Sequence, residues 1–358
     1  MSLLAPSKST RRIWLIIALA VLIIFPIVFK NPTVTTIATY CVMYMAIATA
    51  WNSFSGFSGY VSLGHAVFFG SGAYALSIIS TDLKMQGGYA IFALVPVAGI
   101  VAGILALPFG YVALRTKRHT FVVITIAAFF IFQLLAENLS ITKGSEGITL
   151  APGGFAAVDY NNPFYYASAI IFVLTVLAVW HIKRSRFGLQ LFAIRDEESR
   201  ARSLGVKVDR VKLLTFCFSA IPVGMMGAIW AYFIGQIYPQ FAFAAAFDVT
   251  IALMSFFGGL GTIAGPIFGA LVLEALQRYL VLSLSIHNLY LIIYGLLFLA
   301  VIVLMPEGVL PSLRKFINRR FQTHIPTPSL KIDERVATQE GNSPLETDKE
   351  TVKGGKPL

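Results

Sequence analysis

The 358 residues carry 28 Lys and Arg against 17 Asp and Glu, a formal net charge of +11, yet only 13% are charged and 57% are hydrophobic, with a mean hydropathy of +0.76. Soluble domains hold about 25% charged residues, so a soluble globular class is excluded, and repeated apolar runs of membrane-spanning length imply an all-α polytopic membrane protein. The excess positive charge does not indicate a nucleic-acid partner, because Lys and Arg gather in a few loops and in the tail, as membrane orientation signals do.

Residues 1–12 form a basic N-terminus with Lys8, Arg11 and Arg12. The apolar run after it has no small-residue cleavage pattern, so it is read as a retained helix rather than a signal peptide. Apolar length then predicts spans at Ile13–Phe29, Val34–Trp51, Val61–Ser80, Tyr89–Leu114, His119–Ala136, Phe164–Ile182, Leu213–Ile234, Gln240–Phe257, Pro266–Leu282 and Asn288–Met305. Residues 13–305 are thus one transmembrane domain of about ten helices.

Loop charge tests the count. Basic residues mark the cytoplasmic side, which places the N-terminus, Arg115–Arg118, the loop 183–212 and Arg314–Arg320 inside. The loop from Glu137 to Pro163 holds Glu137, Glu146 and Asp159 against Lys143 alone, and falls outside. Both termini inside require an even number of passes, which makes Gly258–Gly265 a turn between two spans. Residues 306–358 form a cytoplasmic tail, polar and expected to be disordered from about residue 323.

Two glycine-rich stretches interrupt the apolar runs, Gly56–His65 and Gly258–Pro266. Glycine lets helices approach closely or lets the backbone unwind. Unwound backbone at membrane depth must face protein or a water-filled route, and paired breaks in two halves of a chain point to a transport path. Ser62, Gly64, His65, Gly258, Gly259, Gly261 and Thr262 are therefore candidates to line such a path. The plainer reading is short loops between close-packed helices.

Ser185–Val206 is a charged amphipathic segment between two apolar runs. Phe187, Leu191, Ile194 and Leu204 predict an apolar stripe on one short helix, with Arg195, Glu198 and Arg202 at spacings of three and four. Gly205 suits the left-handed residue of a helix stop. The segment reads either as a helix built to be gripped by a partner or as a solvated basic loop.

The ionisable residues within the spans include His65, Asp248, Glu274 and Arg278. Glu274 and Arg278, four apart, are expected to pair on one helix face. Asp248 is expected near the wet end of its span. His65 is either a path residue or a hydrogen-bonded residue at a helix start. Cys41 and Cys217 sit in apolar runs and are read as packing residues, not a disulfide or metal pair. There is no G-x-x-x-x-G-K-[ST] phosphate loop, no His/Cys spacing for a metal and no nucleophile elbow. No cofactor or metal is expected, and no ATP site of the chain's own.

Ser185-Arg186-Phe187-Gly188, Ala193-Ile194-Arg195-Asp196-Glu197, Ser203-Leu204-Gly205-Val206 and Lys212-Leu213-Leu214-Thr215-Phe216 resemble the cytoplasmic signature of branched-chain amino acid ABC transporter permeases, in the longer of their two types. Ser62–Tyr74 and Phe257–Pro266 resemble that family's early and late motifs, and the likeness runs from about Thr35 to Pro311. Two positions depart from the pattern: Arg118–Phe121, where the family usually has a Gly and an aromatic, and Lys143, where a second Gly often precedes Gly144. The resemblance implies a permease of the bacterial inner membrane. It implies as partners a second permease subunit, two ATP-binding subunits and an extracytoplasmic substrate-binding protein. It also implies that Gly188, Ala193, Ile194, Arg195, Asp196, Glu197, Glu198, Ser203, Leu204 and Gly205 couple the chain to the ATPase. Urea or short amides are alternative solutes within the family, and an ion-coupled carrier is the alternative from another class.

Overall fold

A computed structural model describes residues 8–156 and 159–284, with 292, 293, 295, 296, 299, 308–313 and 315 beyond them. Its helices are α1 (Lys8–Val28), α2 (Pro32–Ser58), α3 (His65–Asp82), α4 (Val95–Ala113, entered through a 3-10 turn at Gly88–Leu94), α5 (Arg118–Asn138), α6 (Asn161–Arg184), α7 (Arg186–Asp196), α8 (Glu198–Ser203), α9 (Val208–Ile234), α10 (Pro239–Ala242), α11 (Ala245–Gly258) and α12 (Ala264–Leu284). Among the described residues, six segments are long and apolar enough to cross a membrane: Pro32–Ser58, Gly88–Ala113, Arg118–Asn138, Asn161–Arg184, Val208–Ile234 and Pro239–Gly258. The fold is an all-α polytopic membrane protein. The expected span Asn288–Met305 lies for the most part outside the described residues, as does the tail from about residue 323.

Small residues set the packing. On α4, Ala98, Gly99, Ala102, Gly103, Ala106, Gly110 and Ala113 recur at helical spacing and are buried, while Ile100, Ile104 and Leu107 on the opposite face are exposed. The small face lies on α9: a Cβ at Gly224 would come within 2.4 Å of the Ala102 methyl. The α3–α9 contact is closer still, since a Cβ at Gly72 would meet the Gly224 carbonyl oxygen at 2.1 Å and one at Gly227 the Phe69 oxygen at 2.0 Å. Between helices in lipid, where no hydrophobic gain drives association, such backbone approach maximises dispersion. Phe54, Phe68, Phe121 and Phe216 fill the centre with edge-to-face contacts, Phe54–Phe216 at 4.9 Å between centroids.

Several expected boundaries move. Helix α2 continues through Gly56 to Ser58 and stops at Gly59, whose φ of +74° is the left-handed stop. The run expected as one span over Gln240–Phe257 breaks at Phe243–Ala244, because α10 ends after a single turn. Its main part, α11, has 14 residues, about 21 Å at 1.5 Å each, which is short of the ~30 Å hydrocarbon core. Ile148–Thr149, between α5 and α6, also forms a small antiparallel ladder with Gln236–Ile237, just after α9, which hydrophobic pattern did not indicate.

Candidate functional site

The glycine-rich interruptions meet inside the bundle. After α2, the backbone of Gly59–Gly64 is not helical, and side chains satisfy it. Tyr60 N–H donates to Ser58 Oγ at 3.2 Å, Ser62 N–H to Ser55 Oγ at 3.2 Å and Leu63 N–H to Thr125 Oγ1 at 3.1 Å, while the Ser62 carbonyl accepts from Trp51 Nε1 at 2.8 Å. Buried backbone polar groups require such partners.

At the start of α3, the free N–H groups of His65 and Ala66 donate to Asp248, at 2.8 Å and 3.2 Å to Oδ1, with Ala66 also 3.2 Å from Oδ2. A carboxylate at a helix N-terminus is favoured by unsatisfied N–H groups and by the helix dipole. Asp248 is 1% exposed, which corrects the expectation that it is wet: the first turn of α11 sits against the start of α3, whose amides it caps. The His65 ring is also fully buried, with Nδ1 3.0 Å from Ser62 Oγ and Nε2 3.0 Å from Ser219 Oγ. Both ring nitrogens are thus engaged within the chain.

The second interruption receives the converse treatment. Asn52, in the buried stretch of α2, accepts from Gly261 N–H at 2.8 Å and donates to the Thr262 carbonyl at 2.7 Å. Gly56, one turn on, leaves room for that reach, since a Cβ there would come within 2.0 Å of Asn52 Oδ1. Gly258 lies against the Gly265 backbone, and Gly64 against Thr125. Ser62, Gly64, His65, Gly258, Gly259 and Gly261 are buried, and Thr262 is half-buried.

The segment after α6 is two helices. Glu197, extended at φ −154° and ψ 110°, separates α7 from α8. Leu204 is therefore not part of an apolar stripe. It is 78% exposed, while Leu191, Ile194 and Ala201 bury against Phe57, Val179, Val208 and Val211. Gly205 ends α8 region at φ +84°. Gly188 is required by proximity, since a Cβ would lie 2.3 Å from the Ile182 carbonyl oxygen at the end of α6.

Polar contacts bolt this segment to the bundle. Arg118, at the start of α5, donates to the carbonyls of Ile194 at 2.8 Å and Arg195 at 2.7 Å. Arg195 Nη1 donates to the Gly56 carbonyl at 2.8 Å, and Lys183 Nζ to the Gly261 carbonyl at 3.1 Å. Lys212, 1% exposed, donates to Glu198 Oε1 at 3.0 Å, to Tyr60 Oη at 3.2 Å and to the Leu114 carbonyl at 3.2 Å, and Tyr60 in turn donates to Glu198 Oε2. Partial burial pushes the Glu198 carboxyl up, but the bonds from Tyr60 and Lys212 outweigh it and hold the group below its ordinary value. Of the segment's candidates, Gly188, Ile194, Arg195 and Glu198 face the bundle to differing degrees, Ala193 is half-buried, and Asp196, Glu197, Ser203, Leu204 and Gly205 are exposed.

Glu274 and Arg278 pair as expected, Oε1 to Nε at 2.8 Å, with the guanidinium 3.5 Å from the Tyr40 ring centroid. Cys41 and Cys217 are free thiols. Sequence reasoning passed over Asn52, Tyr60, Lys183 and the polar role of Lys212. The one available signal was the position of Asn52 and Lys212 within or at the edge of apolar runs, where a polar group needs a partner.

Residues 33–302 match the family described as branched-chain amino acid transport system / permease component. The high-affinity branched-chain amino acid transport system permease protein LivM of Escherichia coli K12 is 26% identical over 337 residues, covering 86% of this chain and 77% of LivM. LivH of Salmonella typhimurium, a permease protein of the same kind of system, is 28% identical over 283 residues, covering 75% of this chain and 91% of LivH. The autoinducer 2 import system permease protein LsrC of Yersinia pseudotuberculosis is 25% identical over 215 residues, 58% of this chain and 60% of LsrC. No solved structure matches. With its polytopic helical fold and a match over most of its length, the chain belongs to the branched-chain amino acid transport system permease family.

Proposed function

We propose that the chain is a transmembrane permease subunit of an ATP-driven importer of branched-chain or related hydrophobic amino acids in the bacterial inner membrane. A second permease subunit pairs with it, two ATP-binding subunits dock on its inner face, and an extracytoplasmic substrate-binding protein delivers the solute. ATP is hydrolysed on the partner subunits. The chain crosses the membrane ten times with both termini inside.

The observation that carries this reading is the anchoring of α7 and α8. Their bundle side is held by Arg118, Arg195 and Lys212 to the ends of α2, α4, α5 and α9. Their free side carries the exposed Leu189 and Leu204 with Asp196, Glu197 and Ser203. A partner pressing on that side moves the bundle rather than a slack loop, and each nucleotide state of the ATPase then favours one arrangement of the spans through differential contact. Ser62, Gly64, His65, Gly258, Gly259, Gly261 and Thr262 flank the solute's route. Small residues suit an apolar solute, which must leave the inward-open state without tight binding.

Reconstituting the chain with its partner subunits in proteoliposomes tests the reading. Labelled leucine uptake is expected to need both ATP and the binding protein. Uptake of urea instead of leucine moves the solute to the amide class, and uptake driven by an ion gradient without ATPase subunits overturns the importer reading. Single cysteines test topology: Ser145→Cys is expected to label from outside, and Ser199→Cys and Ser312→Cys from inside. Labelling of Ser312→Cys from outside would refute ten passes.

A further inference from the structure

We infer that Arg195 is a positioning residue that ties the α7–α8 segment to both glycine-rich interruptions at once, so that movement of the segment reaches the two breaks together. This deepens the importer reading and rests on it for the transport measurements alone.

Arg195 occupies the last turn of α7, and its side chain turns into the bundle. Its Nη1 donates to the Gly56 carbonyl at 2.8 Å, in the last turn of α2. The same nitrogen lies on the turn between α11 and α12, where a Cβ at Gly261 would come within 2.2 Å of it. The aliphatic stem rests beside Gly59, with Cγ 3.1 Å from where a Cβ would be. One side chain thus touches the C-terminal end of α2 and the second interruption.

The surroundings fix that side chain. Arg118 holds the backbone of Ile194 and Arg195 from below by two carbonyl bonds. Lys183 holds the Gly261 carbonyl, and Asn52 holds the Gly261 N–H and the Thr262 carbonyl. Cations therefore converge on carbonyls at the C-terminal ends of α2 and α7, where helix dipoles favour positive charge. The planar guanidinium bonds the Gly56 carbonyl while the same Nη1 packs against Gly261, whereas an ammonium is a compact point charge on a flexible stem. Gly261 is compelled twice, by φ of +79° and by the guanidinium's place.

Amide hydrogen exchange of the full chain in nanodiscs tests the tie directly. Arg195→Gln loses a charge-assisted bond, so exchange in 56–62 and in 258–263 is expected to accelerate together by about tenfold or more. Arg195→Lys is expected to protect one of these stretches and release the other. Gly261→Ala, with Arg195 intact, is expected to reproduce the paired acceleration. Unchanged exchange, or acceleration of a single stretch in Arg195→Gln, overturns the inference.

In the assembled complex, Arg195→Gln is expected to copurify with the ATPase as wild type does. Its maximal uptake rate falls by about tenfold or more at unchanged half-saturation. Normal uptake, or loss of the ATPase from the complex, overturns the proposal. If the wild-type complex itself shows no ATP-driven uptake, the importer reading fails, and the exchange measurement still decides the role of Arg195.

Discussion

Removing the Lys212 ammonium is expected to loosen α8 from the bundle by an amount that a double-substitution cycle can read. Lys212→Met keeps most of the side chain's length and apolar stem but removes donors to Glu198, Tyr60 and the Leu114 carbonyl. Unit charges at the 3.0 Å of the Lys212–Glu198 contact attract by about 5.5 kcal/mol at an effective dielectric constant of about 20. Burying Lys212, whose side chain is 2% exposed, offsets several kcal/mol of that attraction. Breaking a fully buried pair costs about 3–5 kcal/mol because the remaining charge is stranded. Glu198 keeps 26% of its side chain exposed, so water recovers part of its solvation, and the expected loss is about 2–3 kcal/mol. Glu198→Gln is expected to cost about 1–2 kcal/mol. The double variant should cost less than the sum by about 1–2 kcal/mol. Reversible unfolding in mixed micelles measures all three. Additivity within about 0.5 kcal/mol would show that the two residues do not work as a pair, and the account of how α8 is held would be wrong.

Further outcomes follow from particular positions. Gly188→Ala places a methyl against the Ile182 backbone oxygen, which cannot swing aside. It is expected to cost about 1–3 kcal/mol and to release the amides of Arg186–Asp196 to exchange, and unchanged protection there would refute the close approach. Lys143 holds φ +56°, so Lys143→Gly is expected to raise stability by about 0.5–1 kcal/mol, while Lys143→Ala gives no gain; equal effects would show that backbone conformation is not what matters there. The Glu198 carboxyl is held below its ordinary value, so its stabilising contribution is complete above the unfolded value of about 4.3 and is lost as pH falls through the lower folded value. Protease resistance at Glu198–Ser203 should therefore be flat from pH 8 to about 5 and decline only in stronger acid, and Glu198→Gln should remove the decline. A drop between pH 7 and 5 would contradict this sign.

Apolar length, the glycine clusters and the four-residue spacing of Glu274 and Arg278 were enough to reveal the helical membrane fold, the two interruptions and that pair, because these rest on local spacing. What escaped the sequence rests on contacts between distant residues. The partners of Lys212 are separated from it by 14, 98 and 152 residues, and no period along one helix encodes them. Asp248 reads as an end-of-span carboxylate until its bonds to the His65 and Ala66 amides, 183 and 182 residues away, show it buried. The single helix expected over Ser185–Val206 fails because Glu197 turns extended, which lets Ala201 pack inward and leaves Leu204 outside. The Lys143 departure was legible, yet its reason was not: the position is left-handed, which explains why a glycine suits it.

The two interruptions stabilise one another through exchanged side chains. Asp248, from the first turn of α11, caps the opening of α3 after the first break, and Asn52, from the helix before the first break, caps the turn of the second. Neither break has its polar backbone satisfied by its own segment alone. In lipid an unsatisfied N–H or C=O costs several kcal/mol, so opening one break exposes groups that the other must then lose as partners. The two breaks therefore share partners, and the loss of one shared side chain is expected to be felt at both. Asp248 and Asn52, both buried, have their partners in this exchange. Asp248→Asn tests the argument, because an amide offers the α3 amides one acceptor oxygen where the carboxyl offers two. Exchange at His65–Phe68 and at 258–263 is expected to rise together in this variant, although the substitution touches only the first break. If the 258–263 stretch keeps its wild-type protection, the breaks are independent, and their proximity is packing alone.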